Sequence, residues 1–101
     1  MAALHPHPLE RIVDPQGRPY FLWDMDMTLA EFMAALRVDS DARLPLLGKL
    51  LREARPDDVF HFISLQQLAD ELPGIAPFLG RQRAMWEWLV EEWRRLGHVR
   101  P

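Results

Sequence analysis

Two four-residue patterns, Thr28-Leu29-Ala30-Glu31 and Ser64-Leu65-Gln66-Gln67, constrain this chain more than any other feature, because each has the reciprocal hydrogen-bonding pattern of a helix N-terminus. In each, a hydroxyl accepts from the amide three residues on, while the Glu or Gln there reaches back to the capping amide. Met27 with Phe32, and Ile63 with Leu68, bracket the two boxes as hydrophobic staples. Behind the first box, Leu29, Phe32, Met33 and Leu36 fall at i, i+3, i+4 and i+7, which predicts one apolar helix face ending near Arg37 or Val38. Behind the second, a short helix is predicted to run to Leu72, where Pro73-Gly74 stops it. The boxes lie 36 residues apart, but there is no third copy and the intervening sequence differs, so a helical solenoid is rejected.

Between them, Leu44, Leu47, Leu50, Leu51 and Ala54 form another apolar stripe, on a helix that Ser40 or Asp41 can cap and in which Pro45 fits only the first turn. Pro56-Asp57-Asp58-Val59-Phe60-His61-Phe62 reads as one or two helical turns or a short strand; first-turn acids after a proline favour the helical turn. Arg81 to Leu96 is predicted to be the longest helix, closed by Gly97. Met85, Trp86, Leu89, Val90, Trp93 and Leu96 share its core face, and Trp88 projects to the flank. Before the first box, Leu9 to Val13 and Arg18 to Trp23 flank Asp14-Pro15-Gln16-Gly17, a turn sequence that makes an N-terminal β-hairpin plausible. The expected fold is therefore mainly α: four to five short helices packed around Phe32, Leu36, Leu47, Leu50, Leu51, Leu68, Leu72, Trp86, Leu89 and Trp93. Residues 9–97 are expected to form one helical domain, with residues 1–8 as a mobile or extended lead-in and 98–101 as a tail.

Composition narrows the function classes. The 101 residues are 49% hydrophobic, enough for one core, and the net charge of -3 supplies no global field for polyanions. Arginine carries nearly all basic charge, Lys49 being the single lysine. The absence of cysteine excludes disulfides, thiolate metal sites and a Cys nucleophile. The start lacks a secretory signature and no segment approaches the roughly 20 apolar residues of a membrane span, so a cytoplasmic location is expected. His5, His7, His61 and His98 lack helical ligand spacing, and no metal or other cofactor is expected.

Three candidate chemistries compete. Tyr20-Phe21-Leu22-Trp23-Asp24-Met25-Asp26-Met27-Thr28 resembles the nucleophile loop of haloacid-dehalogenase-type phosphotransferases, which implies Asp24 as nucleophile, Asp26 as proton donor and Mg²⁺ as charge shield. No βαβ series exists to supply the parallel sheet that such a loop needs, and Met27 replaces the small residue usual there. Ser64 to Leu72 resembles the first helix of a helix-turn-helix, with Arg81 and Arg83 as the residues able to touch phosphates. Glu87, Glu91 and Glu92 follow on the same helix and oppose that role.

Arg18-Pro19-Tyr20-Phe21-Leu22-Trp23-Asp24-Met25-Asp26-Met27-Thr28, Glu53-Ala54-Arg55-Pro56-Asp57-Asp58-Val59-Phe60 and the Trp-rich last helix together resemble a family of small prokaryotic proteins often encoded beside AbiEii-type nucleotidyltransferase toxins. The resemblance spans about residues 18 to 96, departs at Pro45 and Pro56, and carries over no residue role. It implies an antitoxin-like accessory protein, with a nucleotidyltransferase as natural partner. The expected function is a non-enzymatic protein-protein interaction module contacting its partner through Trp23, Asp24, Asp26, Asp57, Asp58 and Trp88. DNA binding through Arg81 and Arg83 is the alternative, and phosphotransfer by Asp24 and Asp26 a remote one.

Overall fold

Both capping boxes form as the sequence predicts. In the computed structural model, which describes residues 7–100, Thr28 Oγ1 accepts from the Glu31 amide at 3.1 Å and Ser64 Oγ accepts from the Gln67 amide at 3.1 Å. The Glu31 and Gln67 side chains return the bond to the capping amides. Six α-helical elements follow in order: α1 (Leu9–Ile12), α2 (Leu29–Leu36), α3 (Arg43–Glu53), α4 (Pro56–Val59), α5 (Leu65–Ile75) and α6 (Arg83–Arg95). Single 3₁₀ turns lie at Tyr20–Leu22, Ala76–Phe78 and Gly80–Gln82. The fold is mainly α and compact, with extents of 41 × 30 × 24 Å. Residues 1–6 of the expected lead-in, and Pro101, lie outside the described residues.

The N-terminal hairpin does not form. Its turn is present, closed by the Gly17 amide on the Asp14 carbonyl at 2.9 Å, with Gly17 at φ 80°. Its strands are not: Leu9–Ile12 is a helical turn, Tyr20–Leu22 is 3₁₀, and only a Val13–Pro19 bridge joins them. Pro19 has no amide to donate to a ladder, and two isolated strands are marginal in any case. Coiling instead buries Ile12, Phe21 and Leu22 completely. Phe21 then packs edge-on against Phe32 and Phe62, with centroids 5.2 and 5.6 Å away.

Three helix boundaries also differ. Neither Ser40 nor Asp41 caps α3, which begins at Arg43 without a side-chain cap; Arg43 Nε instead turns back to the Leu36 carbonyl at 2.9 Å, and Nη1 and Nη2 grip the Glu71 carboxylate of α5. The α5 helix runs through Pro73-Gly74 to Ile75, because Ile75 and Ala76 are buried in the core and Gly74 leaves room for Leu44. Packing outweighs the hydrogen bond that Pro73 cannot donate. The last helix starts at Arg83 after a 3₁₀ turn, and its buried stripe is Trp86, Val90 and Trp93; Leu96, expected in the core, is half exposed. Gly97 at φ 81° closes α6, and the His98 amide reaches the Trp93 carbonyl at 2.8 Å.

Every residue of the predicted core is buried or packed against it, Leu36 and Leu89 being the two only partly covered. The centre is α3. Its stripe of Leu46, Leu47, Leu50 and Leu51 meets α2, α5 and α6, and the buried Trp86 indole donates to the Leu51 carbonyl at 3.0 Å. That carbonyl is free to accept because the chain turns extended at Ala54, with ψ 154°, and the Arg55 amide donates to the Tyr20 hydroxyl instead. Residues 98–100 are not a detached tail: Val99 is buried and the Arg100 amide donates to Gln66 at 2.8 Å.

Candidate functional site

Three of the residues singled out from sequence mark two places: Asp58 a buried polar knot, and Trp23 and Asp24 an exposed face with an apolar groove. In the knot, Asp58 on α4 is fully buried. Its Oδ1 accepts the His7 amide at 2.6 Å, and its Oδ2 accepts the Tyr20 hydroxyl at 2.7 Å and faces His7 Nδ1 at 2.9 Å. The Arg55 amide donates to the Tyr20 oxygen at 2.8 Å, His61 Nε2 reaches the His7 carbonyl at 2.6 Å, and Arg55 Nη1 lies 2.6 Å from His7 Nε2. Arginine can only donate, so this geometry requires the His7 tautomer with hydrogen on Nδ1 and a lone pair on Nε2. Burial pushes the Asp58 carboxyl up, but donors from Tyr20 and His7 outweigh it and hold its pKa below the usual 3.8. Burial and the Asp58 acceptor push the Tyr20 phenol up to about 12. Asp58 is therefore a structural anchor for the N-terminal segment, and it is not available on the surface as a partner contact.

The second place is built around the turn that follows the first 3₁₀ element. Trp23 is 74% exposed there, Asp24 Oδ1 pairs with Lys49 Nζ at 2.5 Å, and the Lys49 ammonium also lies 5.8 Å from the Trp23 ring centroid. The Lys49 hydrogen bond holds the Asp24 carboxyl below its usual value. Next to this pair, Met25, Met27, Leu46 and Phe78 line an open apolar groove of about 380 Å³ whose charged walls are Lys49 and Arg52. Arg52 is fixed by a 2.5 Å bond from Nη1 to the Phe78 carbonyl. Gly48, one turn from Arg52 on α3, permits the approach of Phe78, since a Cβ there would collide with the Phe78 Cβ.

The remaining candidates are dispersed. Asp26 is exposed on the same turn, Asp57 is half-buried on α4, and Trp88 is 61% exposed on the outer face of α6, opposite the Trp86, Val90 and Trp93 stripe. Trp88 does not line the groove. Arg81 is exposed in the last 3₁₀ turn, whereas Arg83 Nε donates to Glu87 at 3.3 Å, which turns it along its own helix. Asp24 and Asp26 sit on a turn between a 3₁₀ element and α2, and among the described residues no parallel sheet supports them. No cluster of three or more His, Asp or Glu able to hold a metal occurs among the described residues.

Sequence reasoning missed Phe78 and the pairing of Lys49 with Asp24. The single lysine in an otherwise arginine-based chain was the available signal; its partner, 25 residues earlier, was set only by folding. Compared with protein families, curated proteins and solved structures, the chain matches none. None of the described helices is long and apolar enough to cross a membrane.

Proposed function

We propose that the protein is a non-enzymatic protein-interaction module that engages its partner through the face made by the 23–27 turn, α3 and the Ala76–Phe78 turn. The observation that carries this reading is the exposed apolar groove of Met25, Met27, Leu46 and Phe78 beside a tryptophan 74% exposed. An apolar groove rimmed by charged residues is a surface a protein partner can cover, and methionines suit a surface that must adapt to a partner. Trp23 supplies a large, stiff contact of the type that dominates binding energy. Asp24 and Asp26 border the face, and Trp88 is a separate second contact within the same proposal. The location proposed is the cytoplasm, and the partner class is a nucleotidyltransferase of the kind implied by the resemblance over residues 18 to 96.

A photo-crosslinking residue placed at position 27, with a second variant carrying it at 88, tests this in the native host by mass spectrometry of the adducts. The expected result is one dominant protein adduct at 27, diminished by Phe78→Asp, with the same protein captured at 88. A chain that crosslinks to nothing at 27 would discard the face, and an adduct at 88 alone would move the interface to α6.

A further inference from the structure

Resting on that interaction reading, we propose that Asp24 is an internal stand-in for a partner carboxylate: the groove takes a protein segment carrying aliphatic side chains beside an acidic residue, which replaces Asp24 on Lys49. The Lys49 side chain is only 11% exposed and stands on the wall of an apolar groove, where a bare cation is costly and an anion must be at hand. Asp24 supplies it at 2.5 Å, yet comes from a turn with no helix or strand to hold it, and its side chain remains 43% exposed. The anion is therefore the more exposed of the two, and the cation is largely covered until that anion is displaced.

Charge complementarity then selects the occupant. Both charged side chains lining the groove, Lys49 and Arg52, are cationic, and its other named walls, Met25, Met27, Leu46 and Phe78, are apolar. The surface that matches is an apolar segment with a carboxylate at its edge. Exchange of one carboxylate for another never leaves the ammonium unpaired, so the turn can open without the penalty of a stranded buried charge. Trp23, whose ring faces the same ammonium, is released together with Asp24.

Selection of linear peptides from a random display library on the wild-type protein tests the proposal, with the best peptide then titrated while the Met25 and Met27 methyl resonances are followed. The expected consensus places Asp or Glu next to two aliphatic residues, and its binding shifts both methyls. Asp24→Asn removes the internal competitor and tightens that peptide severalfold, whereas Asp24→Glu restores wild-type affinity. Lys49→Gln abolishes the acidic preference and Lys49→Arg retains it, with thermal melts identifying any variant that fails to fold. Groove-binding peptides without an acidic residue, equal affinity for wild type and Asp24→Asn, or no selected peptide at all would overturn the stand-in role. Neutral groove peptides together with a cellular adduct at position 27 leave the interaction face standing and remove only the role of Asp24.

Discussion

At the scale of single residues, the most consequential side chain is Asp58, which draws His7, Tyr20 and, through them, Arg55 and His61 into one network. Its carboxyl is held below its ordinary value of 3.8 in the fold, so the stability it contributes is present above that value and is lost as pH falls through the folded one. Melting curves of wild type and Asp58→Asn should accordingly differ most near neutral pH and converge in strong acid. Tyr20 has the opposite sign: its phenol is raised from 10.0 to about 12, so its contribution is complete below 10.0 and disappears as pH rises through the higher value. Because it is the only tyrosine, ultraviolet titration reads it directly. A midpoint near 12 is expected in wild type, moving down in Asp58→Asn, where the acceptor charge is gone. At Thr28 the capping hydroxyl is the whole effect, and Thr28→Ala should lose about 1 kcal/mol in chemical denaturation.

At the scale of elements, local capping chemistry prevails at some helix ends and tertiary packing at others. Caps decide the starts of α2 and α5, where a hydroxyl and a Glu or Gln satisfy first-turn amides that have no partner within the helix. Packing decides the end of α5, where burial of Ile75 carries the helix past Pro73. Gly48 provides the sharpest test of that contrast. Helix propensity alone predicts that Gly48→Ala stabilises α3 by about 1 kcal/mol. The collision of the added methyl with Phe78 reverses the sign, and a net loss of roughly 1–3 kcal/mol is expected, as for other overpacked cores. The same variant should push Phe78 off α3 and thereby disturb the groove, visible as shifted Met25 and Met27 methyl resonances.

At the scale of the whole molecule, both ends of the described chain are tied into the bundle. Ending the protein at Gly97 removes Val99 from the core and the Arg100 amide from Gln66, and should cost about 2 kcal/mol by the usual value for a buried aliphatic side chain. Arg100→Ala, which keeps the amide, should cost little. The charge distribution bears on nucleic acid: with a net charge of -3 and Arg83 directed at Glu87, fluorescence anisotropy at micromolar protein should detect no salt-dependent binding to duplex DNA. A complex weakened by salt and lost on joint replacement of Arg81 and Arg83 by Ala would favour the DNA reading instead.

The helical class, both capping boxes, the turn at Asp14 and the buried faces of α3 and α5 follow from the sequence by itself, because each depends on residues within about two helical turns of one another. The place of Trp88 on the flank of α6 follows for the same reason, from the helical wheel, whereas its exposure was decided only by how the folded chain packs around α6. The failure of the hairpin, the passage of α5 through Pro73, the burial of Asp58 and the pairing of Asp24 with Lys49 were decided only by the tertiary structure. Their partners lie far apart in the chain: Asp58 meets a residue 51 positions earlier and another 38 earlier. Local periodicity carries no information about such contacts, and it is these contacts that turn an acid expected at the surface into an anchor and leave an apolar groove where the sequence offered only a polar turn.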